Sequence, residues 1–274
     1  MKIIISHDVD HLFGKDHWFR DLIYPKLWVR SFLQLLGCRI SWKQCWLRCA
    51  SCFRRQRHRI DAVMSFDRQH GVPSTFFFGM NQGLGMSYYP DEAKPVIAHV
   101  HDMGFDVGVH GIAYDDREAI EKEYKTFVNT AGFEPCGIRM HYVRFDQDTF
   151  AKEAAAGYRF DSTEFDKTQG GTMKAPYKVG KMWEFPLTIM DGYLPQSFQG
   201  AKAETLARLR KCEELGLAYV TILFHEYQFT DAYEDMKAWY EWLIEYIEQE
   251  ENYSFVSFQE AINELEDNGW QTIS

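Results

Sequence analysis

Lys2-Ile-Ile-Ile-Ser6, followed at once by His7-Asp8-Val9-Asp10-His11, decides how the chain is read. A near-continuous apolar run of this length fits a strand buried on both faces of a parallel sheet. The residues at the carboxyl end of such a strand face the ligand crevice of an α/β fold. Side chains in an extended segment alternate, so Asp8 and Asp10 share one side. Two carboxylates and two imidazoles within five residues suit either a divalent metal or a general acid/base pair. The plain alternative is a strand end carrying solvated charges and a helix cap.

Outward from this strand the chain alternates. Helical spacing and stop signals predict helices over 60–70, 90–103, 115–131, 148–156, 203–215, 233–249 and 258–266. Runs rich in β-branched and aromatic residues predict strands over 74–79, 105–109, 137–140, 183–190 and 218–224. Pro186 inside one of them points to an edge or a barrel irregularity. Strands alternating with helices imply a parallel sheet or an α/β barrel. Polar residues recur where strands end: His110 after the third, Arg139 and His141 at the next, His225 after the last long one. Each alone reads as a satisfied structural residue, but strand ends of one sheet converge in space. A set of Asp and His suits zinc, and would also hold manganese, iron or cobalt.

Composition bounds the function. The 274 residues are 46% hydrophobic and 26% charged, with a formal net charge of −10 and a pI near 5.5. This is an ordinary globular composition, and its acidity argues against nucleic acid as the main partner. No apolar run is long enough to span a bilayer, and the chain enters a strand with no signal peptide before it. A cytoplasmic protein is expected, with its six cysteines as free thiols rather than a disulfide framework. Cys49-Ala-Ser-Cys52 has a metal-knuckle spacing but lacks a convincing second ligand pair.

Charge is uneven. Between Gly14 and Ile60 stand eleven Lys and Arg against two Asp, a net +9, interleaved with Trp18, Trp28, Trp42 and Trp46. This pattern suits helices lying on an anionic membrane surface. It equally suits a helical excursion packed on the domain with its arginines in water.

With these residues in place, the chain resembles the polysaccharide deacetylase (NodB-homology) family. The resemblance is carried by His7-Asp8-Val9-Asp10, Ser74-Thr75-Phe76-Phe77-Phe78, Asp106-Val107-Gly108-Val109-His110-Gly111 and Leu223-Phe224-His225, in that order. Gly137-Ile138-Arg139-Met140-His141-Tyr142, Ala156-Gly157-Tyr158-Arg159-Phe160-Asp161-Ser162-Thr163 and the run from Trp183 to Asp191 are similar to its O-antigen and surface-polysaccharide branch, the WbmS type. The resemblance implies one catalytic domain over 1–274. Its fold would be a distorted (β/α) barrel of about seven strands, with a helical insertion at about 14–60 after the first strand. It implies metal-dependent hydrolysis of an N- or O-acetyl group on a sugar, most simply with zinc. Asp8 would be the base, Asp10 and His110 metal ligands, His225 the acid and Arg139 the residue orienting the base. The family's second metal histidine falls at Tyr114; Asp115, Asp116 or His141 could replace it, or the site binds metal poorly. Asp191 or Glu184 could hold Arg139 or His225. Asp191, Tyr114 and Tyr142, with Tyr88 and Tyr89, are candidate sugar contacts. The implied substrate is an acetylated sugar or a lipid-linked or nucleotide-linked glycan. Two rivals are a degenerate glycan-binding member of the fold and a hydrolase of another non-peptide C–N bond.

Overall fold

The computed structural model describes residues 1–18 and 22–267. In chain order the elements are β1 (Lys2–Val9), α1 (Ile23–Leu36), α2 (Trp42–Ser51), α3 (Ile60–Gln69), β2 (Thr75–Gly79), α4 (Pro90–Asp102), β3 (Asp106–Gly111), α5 (Arg117–Ala131), β4 (Ile138–Met140) and α6 (Thr149–Ala156). Then come β5 (Phe160–Asp161), β6 (Tyr177–Val179), β7 (Met182–Glu184), β8 (Leu187–Met190), α7 (Phe198–Glu214), β9 (Tyr219–Leu223), α8 (Glu234–Gln249), β10 (Ser254–Phe255) and α9 (Phe258–Asp267). The helices and longer strands fall where the sequence places them. β5, β6 and β10 are additional, and two or three residues are too few for a periodicity to show. The expected 183–190 strand is broken at Phe185-Pro186 into β7 and β8.

The strands form one curved sheet in the order β6-β7-β5-β4-β3-β2-β1-β9-β8, with β10 pairing β1. All pairs are parallel except β6 with β7. The ladder does not close. Instead the chain steps from β7 to β8 through Phe185-Pro186, where Pro186 has no N–H to donate. This is the distorted α/β barrel expected from the sequence, left open and with ten strands among the described residues where about seven were expected.

Alternation along each strand separates two apolar layers. Ile3, Ile5 and Val9 of β1 join Phe76, Phe78, Val107, Val109, Ile138 and Met140 in the core between sheet and helices. Ile4 joins Phe77, Phe160, Trp183 and Phe185 inside the barrel, and α9 seals that end with Phe258, Ile262 and Leu265. Gly108 is dictated by this inner layer: a Cβ there would lie 2.7 Å from the Phe77 ring and 2.8 Å from the Gly137 carbonyl. With apolar side chains filling one end, the inward positions at the carboxyl ends of β1, β3 and β4 carry polar groups, Asp8, His110 and Arg139. His110 stands beside Arg139 in register, and Asp8 beside Phe77.

Between β1 and α3 the insertion forms the two helices α1 and α2. Trp28 packs inward, its indole donating to Cys52 Sγ at 3.2 Å, and Trp18 packs edge-on against Trp28. Trp42 and Trp46 point the other way and are 74% and 72% exposed. The six cysteines are free thiols. Among the described residues no helix is long and apolar enough to cross a membrane.

Candidate active site

The strand mouths converge as the sequence predicts. Asp10 Oδ1 lies 3.2 Å from His110 Nε2 and 3.3 Å from His141 Nδ1. The two imidazole nitrogens are 2.9 Å apart. All three ligand atoms lie within 4.8 Å of one another, and all three residues are buried. Of the three residues that could replace the histidine missing at Tyr114, which were Asp115, Asp116 and His141, it is His141 that joins Asp10 and His110. Asp115 is exposed, away from the cluster. Asp116 is spent at the start of α5, accepting the Glu118 and Ala119 N–H groups. Tyr114 packs beneath the Arg144 guanidinium, 4.8 Å from its ring, and lines a neighbouring hollow rather than the main cleft.

The outer nitrogens of both histidines are anchored on backbone carbonyls. His110 Nδ1 meets Arg139 O at 3.0 Å, and His141 Nε2 meets Leu84 O at 3.2 Å. Carbonyls only accept, so each ring places its N–H outward and turns its lone pair inward. Two lone pairs then face one carboxylate oxygen that has no well-formed hydrogen bond of its own. That arrangement is repulsive without a cation and fits one, the outer carbonyls being the usual orienting partners of metal-binding histidines. Protonated imidazoles relieve the same repulsion when no cation is there: burial opposes ionisation of Asp10, but hydrogen bonds and charge from His110 and His141 overcome it and hold its carboxyl well below the ordinary range. Burial would lower the His110 imidazole, yet Asp8 and Asp10 raise it. The loop bearing His141 is held under strain. Tyr142 and Leu84, neither a glycine, take φ of 58° and 55°, and Tyr142 Oη donates to the Leu84 carbonyl at 3.1 Å.

Asp8 sits beside this cluster, its Oδ2 3.6 Å from His110 Nε2. Its Oδ1 accepts from Arg139 Nη1 at 3.2 Å. Arg139 is fully buried and spends its other donors on Ser6 Oγ, Ser162 O and Ser162 Oγ, while its plane lies 4.7 Å from the Phe77 ring centre. Across the cleft, His225 Nε2 is 3.8 Å from Asp10 Oδ2. Its Nδ1 donates to Asp191 Oδ1 at 2.6 Å. The second Asp191 oxygen accepts the His225 N–H at 2.7 Å and Gln228 Nε2 at 2.6 Å. Burial alone would lower the His225 imidazole, but Asp191, with Asp10 and Asp8 behind it, raises it to about 10. Asp191 is buried with both oxygens in hydrogen bonds, and of its two expected places the geometry gives it the one beside His225. Glu184 reaches neither Arg139 nor His225; it lies on the outer face, accepting the Glu164 N–H and packed against Asp161.

The remaining sequence candidates separate by face. His7 points away from the cleft, bonded to Phe224 O and Asp67 behind the sheet. His11 lines the cleft, and burial, with Arg57 and His17 nearby, holds its imidazole well below the ordinary value. Tyr142 is exposed at the rim. Tyr88 is buried, its hydroxyl donating to Val9 O, so it belongs to the scaffold. The cleft measures about 880 Å³, and Arg57, Tyr193 and Tyr227, which carried no motif in the sequence, also line it.

Solved structures share this architecture. A Mycobacterium smegmatis protein described as a polysaccharide deacetylase superimposes over 98% of this chain and 91% of its own, with TM-score 0.65 and 15% identity. A Pseudomonas aeruginosa PAO1 protein of the same description does so over 98% and 92%, with TM-score 0.57 and 13% identity. The fold is that of the polysaccharide deacetylases. A 4-alpha-glucanotransferase from Thermococcus litoralis also superimposes, over 96% of this chain but 40% of its own, with TM-score 0.50 and 12% identity. The deacetylase-type barrel thus also resembles part of an enzyme with a different carbohydrate chemistry, and activity has to be argued from the site. No family model and no curated protein sequence matches the chain.

Proposed function

We propose that the protein is a metal-dependent carbohydrate deacetylase that removes an N- or O-acetyl group from a sugar during assembly of a surface polysaccharide such as O-antigen. The observation that carries this reading is the buried cluster of Asp10, His110 and His141, its histidines anchored from outside by carbonyls and flanked by Asp8 and His225. Asp10, His110 and His141 would hold a divalent ion, and their donor set suits zinc. When bound, such an ion supplies Lewis-acid polarisation of a carbonyl and of a water molecule.

The chain's own groups supply the proton transfers. Asp8, fixed by Arg139, accepts the proton of the attacking water. His225, held protonated by Asp191, donates to the amine or alcohol as the acyl bond breaks. Arg139 cannot itself serve as the acid, because its guanidinium does not deprotonate. Tyr142 at the rim offers a ring face to a sugar. The degenerate-binder reading rests on Tyr114 standing where a histidine was expected; against it, His141 offers a third donor beside Asp10 and His110. The insertion, with Trp42 and Trp46 exposed in a stretch of net +9, would bring the enzyme to the anionic, cytoplasmic face of a membrane.

Elemental analysis tests the centre. Protein purified without added metal should hold about one divalent ion per chain. His141→Ala should lose it and lose deacetylation of acetylated aminosugars, while Tyr114→Phe keeps both. Metal retained at full occupancy in His141→Ala overturns the ligand set.

A further inference from the structure

The catalytic cleft has a second, cationic end, which the acyl chemistry does not use. Lys26 and Arg30 of α1 line it with Arg57, on the segment returning from α2, whose guanidinium packs over Tyr24 of α1; Lys167 lines the cleft as well, beside the hollow that holds Tyr114. The carboxylates in that lining, Asp8 and Asp10, are engaged at the catalytic end with Arg139 and the histidines. Among the described residues no carboxylate pairs with Arg30 or Arg57.

Arg57 is placed by construction. Its backbone N–H donates to Leu12 O at 3.0 Å, and the Gly14 N–H donates to Arg55 O at 3.0 Å. Gln56 bridges to Phe13. Gly14 permits this close approach, since a Cβ there would lie 2.4 Å from the Arg54 carbonyl oxygen. The returning segment is thus clamped onto the residues that follow Asp10, and Arg57 lies over the Tyr24 ring, 5.2 Å from its centre. Its Nη1 is buried with no hydrogen-bond partner, and so is His11 Nδ1 in the same lining. A buried donor left unpaired is costly, more so when it is charged. A guanidinium held this way is a receptor for an oxyanion, and arginine binds phosphate through paired N–H groups. The cleft volume of about 880 Å³ lies toward the upper end of the range for small-molecule sites, which leaves room beyond one acylated sugar ring.

We propose that this end is a diphosphate subsite, so that the sugar reaching Asp8 and His225 is carried on a diphosphate. The carrier part of the proposal rests on the deacetylase reading; the subsite itself does not. The diphosphate could belong to a nucleotide or to a polyprenyl lipid. Val29, Leu33 and Leu36, exposed at helical spacing on α1, would lie beside a lipid tail.

Titration calorimetry with uridine diphosphate and with geranyl diphosphate separates the sources, because neither probe carries an acyl group and neither is turned over. At least one should bind, with affinity that falls as salt rises. Arg57→Gln and Arg30→Gln should each weaken that binding about tenfold, the size of one lost charge-assisted hydrogen bond. Arg30 lies exposed on α1, so its variant decides the matter if Arg57→Gln fails to fold. Binding of uridine diphosphate alone assigns a nucleotide carrier, and tighter binding of geranyl diphosphate a lipid one. Failure of both probes to bind, or affinity unchanged in the folded variants, overturns the subsite. Binding in a protein that deacetylates nothing would defeat the deacetylase reading and leave the subsite standing; an active deacetylase that ignores both probes does the reverse.

Discussion

At the scale of single residues, a few backbone carbonyls decide what the imidazoles can do. His110 and His141 are turned into acceptors by Arg139 O and Leu84 O. His225 is turned into a donor by Asp191. Three histidines within one cleft thereby take two roles, and the partner of the outer nitrogen assigns each. Asp191→Asn tests the second assignment. It should lower kcat by about 10²-fold, the size of a general-acid contribution, because the amide no longer favours a charged imidazole. The sign of the pH effect follows from the same bond: Asp191 raises the His225 pKa, so its loss lowers that pKa. The alkaline limb of the kcat profile should therefore move to lower pH, with metal content unchanged. An alkaline limb that stays in place would mean that His225 is not the acid.

At the scale of elements, the joint between the insertion and the barrel carries a buried acid. Arg59 precedes α3 without a side-chain cap, and its backbone N–H donates to Glu226, on the turn after β9. Burial, with the charge of Asp10 added, pushes the Glu226 carboxyl up to about 8 against the effect of that hydrogen bond. A folded-state pKa above the unfolded value of 4.5 means that the folded form holds its proton more tightly. This contribution to stability is complete below pH 4.5 and is lost as the pH rises through about 8. Glu226→Gln keeps an acceptor for Arg59 and removes the titration. Its melting temperature should match the parent near pH 4.5 and exceed it above pH 8; a constant difference across that range would show that Glu226 does not ionise in the fold.

At the scale of the whole molecule, charge and apolar surface are gathered in one place. Leu33, Leu36 and Phe53 are 64%, 77% and 75% exposed, in the same stretch as Trp42 and Trp46. Exposed apolar residues amid basic charge are the pattern of a surface that meets a membrane, and each basic residue near an anionic bilayer contributes about 1 kcal/mol. Co-sedimentation should show binding to vesicles containing phosphatidylserine at low salt, loss of binding as salt rises, and weak binding to neutral vesicles. Trp42→Ser with Trp46→Ser should weaken it without a change in melting temperature, since neither ring is buried. Absence of binding at low salt would remove the membrane from the proposal.

The sequence by itself determined the parallel α/β scaffold. Apolar runs and helical periodicities are local, and Gly and Pro mark their ends, so β1, the long helices and the polar strand mouths could be read directly. It also put Asp8, Asp10, His110, Arg139 and His225 at mouths that must converge. It left the third metal ligand open among Asp115, Asp116 and His141, because sequence spacing measures distance along the chain, and a strained left-handed turn at Tyr142 decides which side chain swings inward. For the same reason His7 and His11, equally close to the two aspartates, ended on opposite faces, and Asp191 proved to be a partner of His225. Arg57 carried no motif at all. Its place depends on the returning segment of the insertion closing over Gly14, a contact between residues forty apart, which only the packed tertiary structure decides.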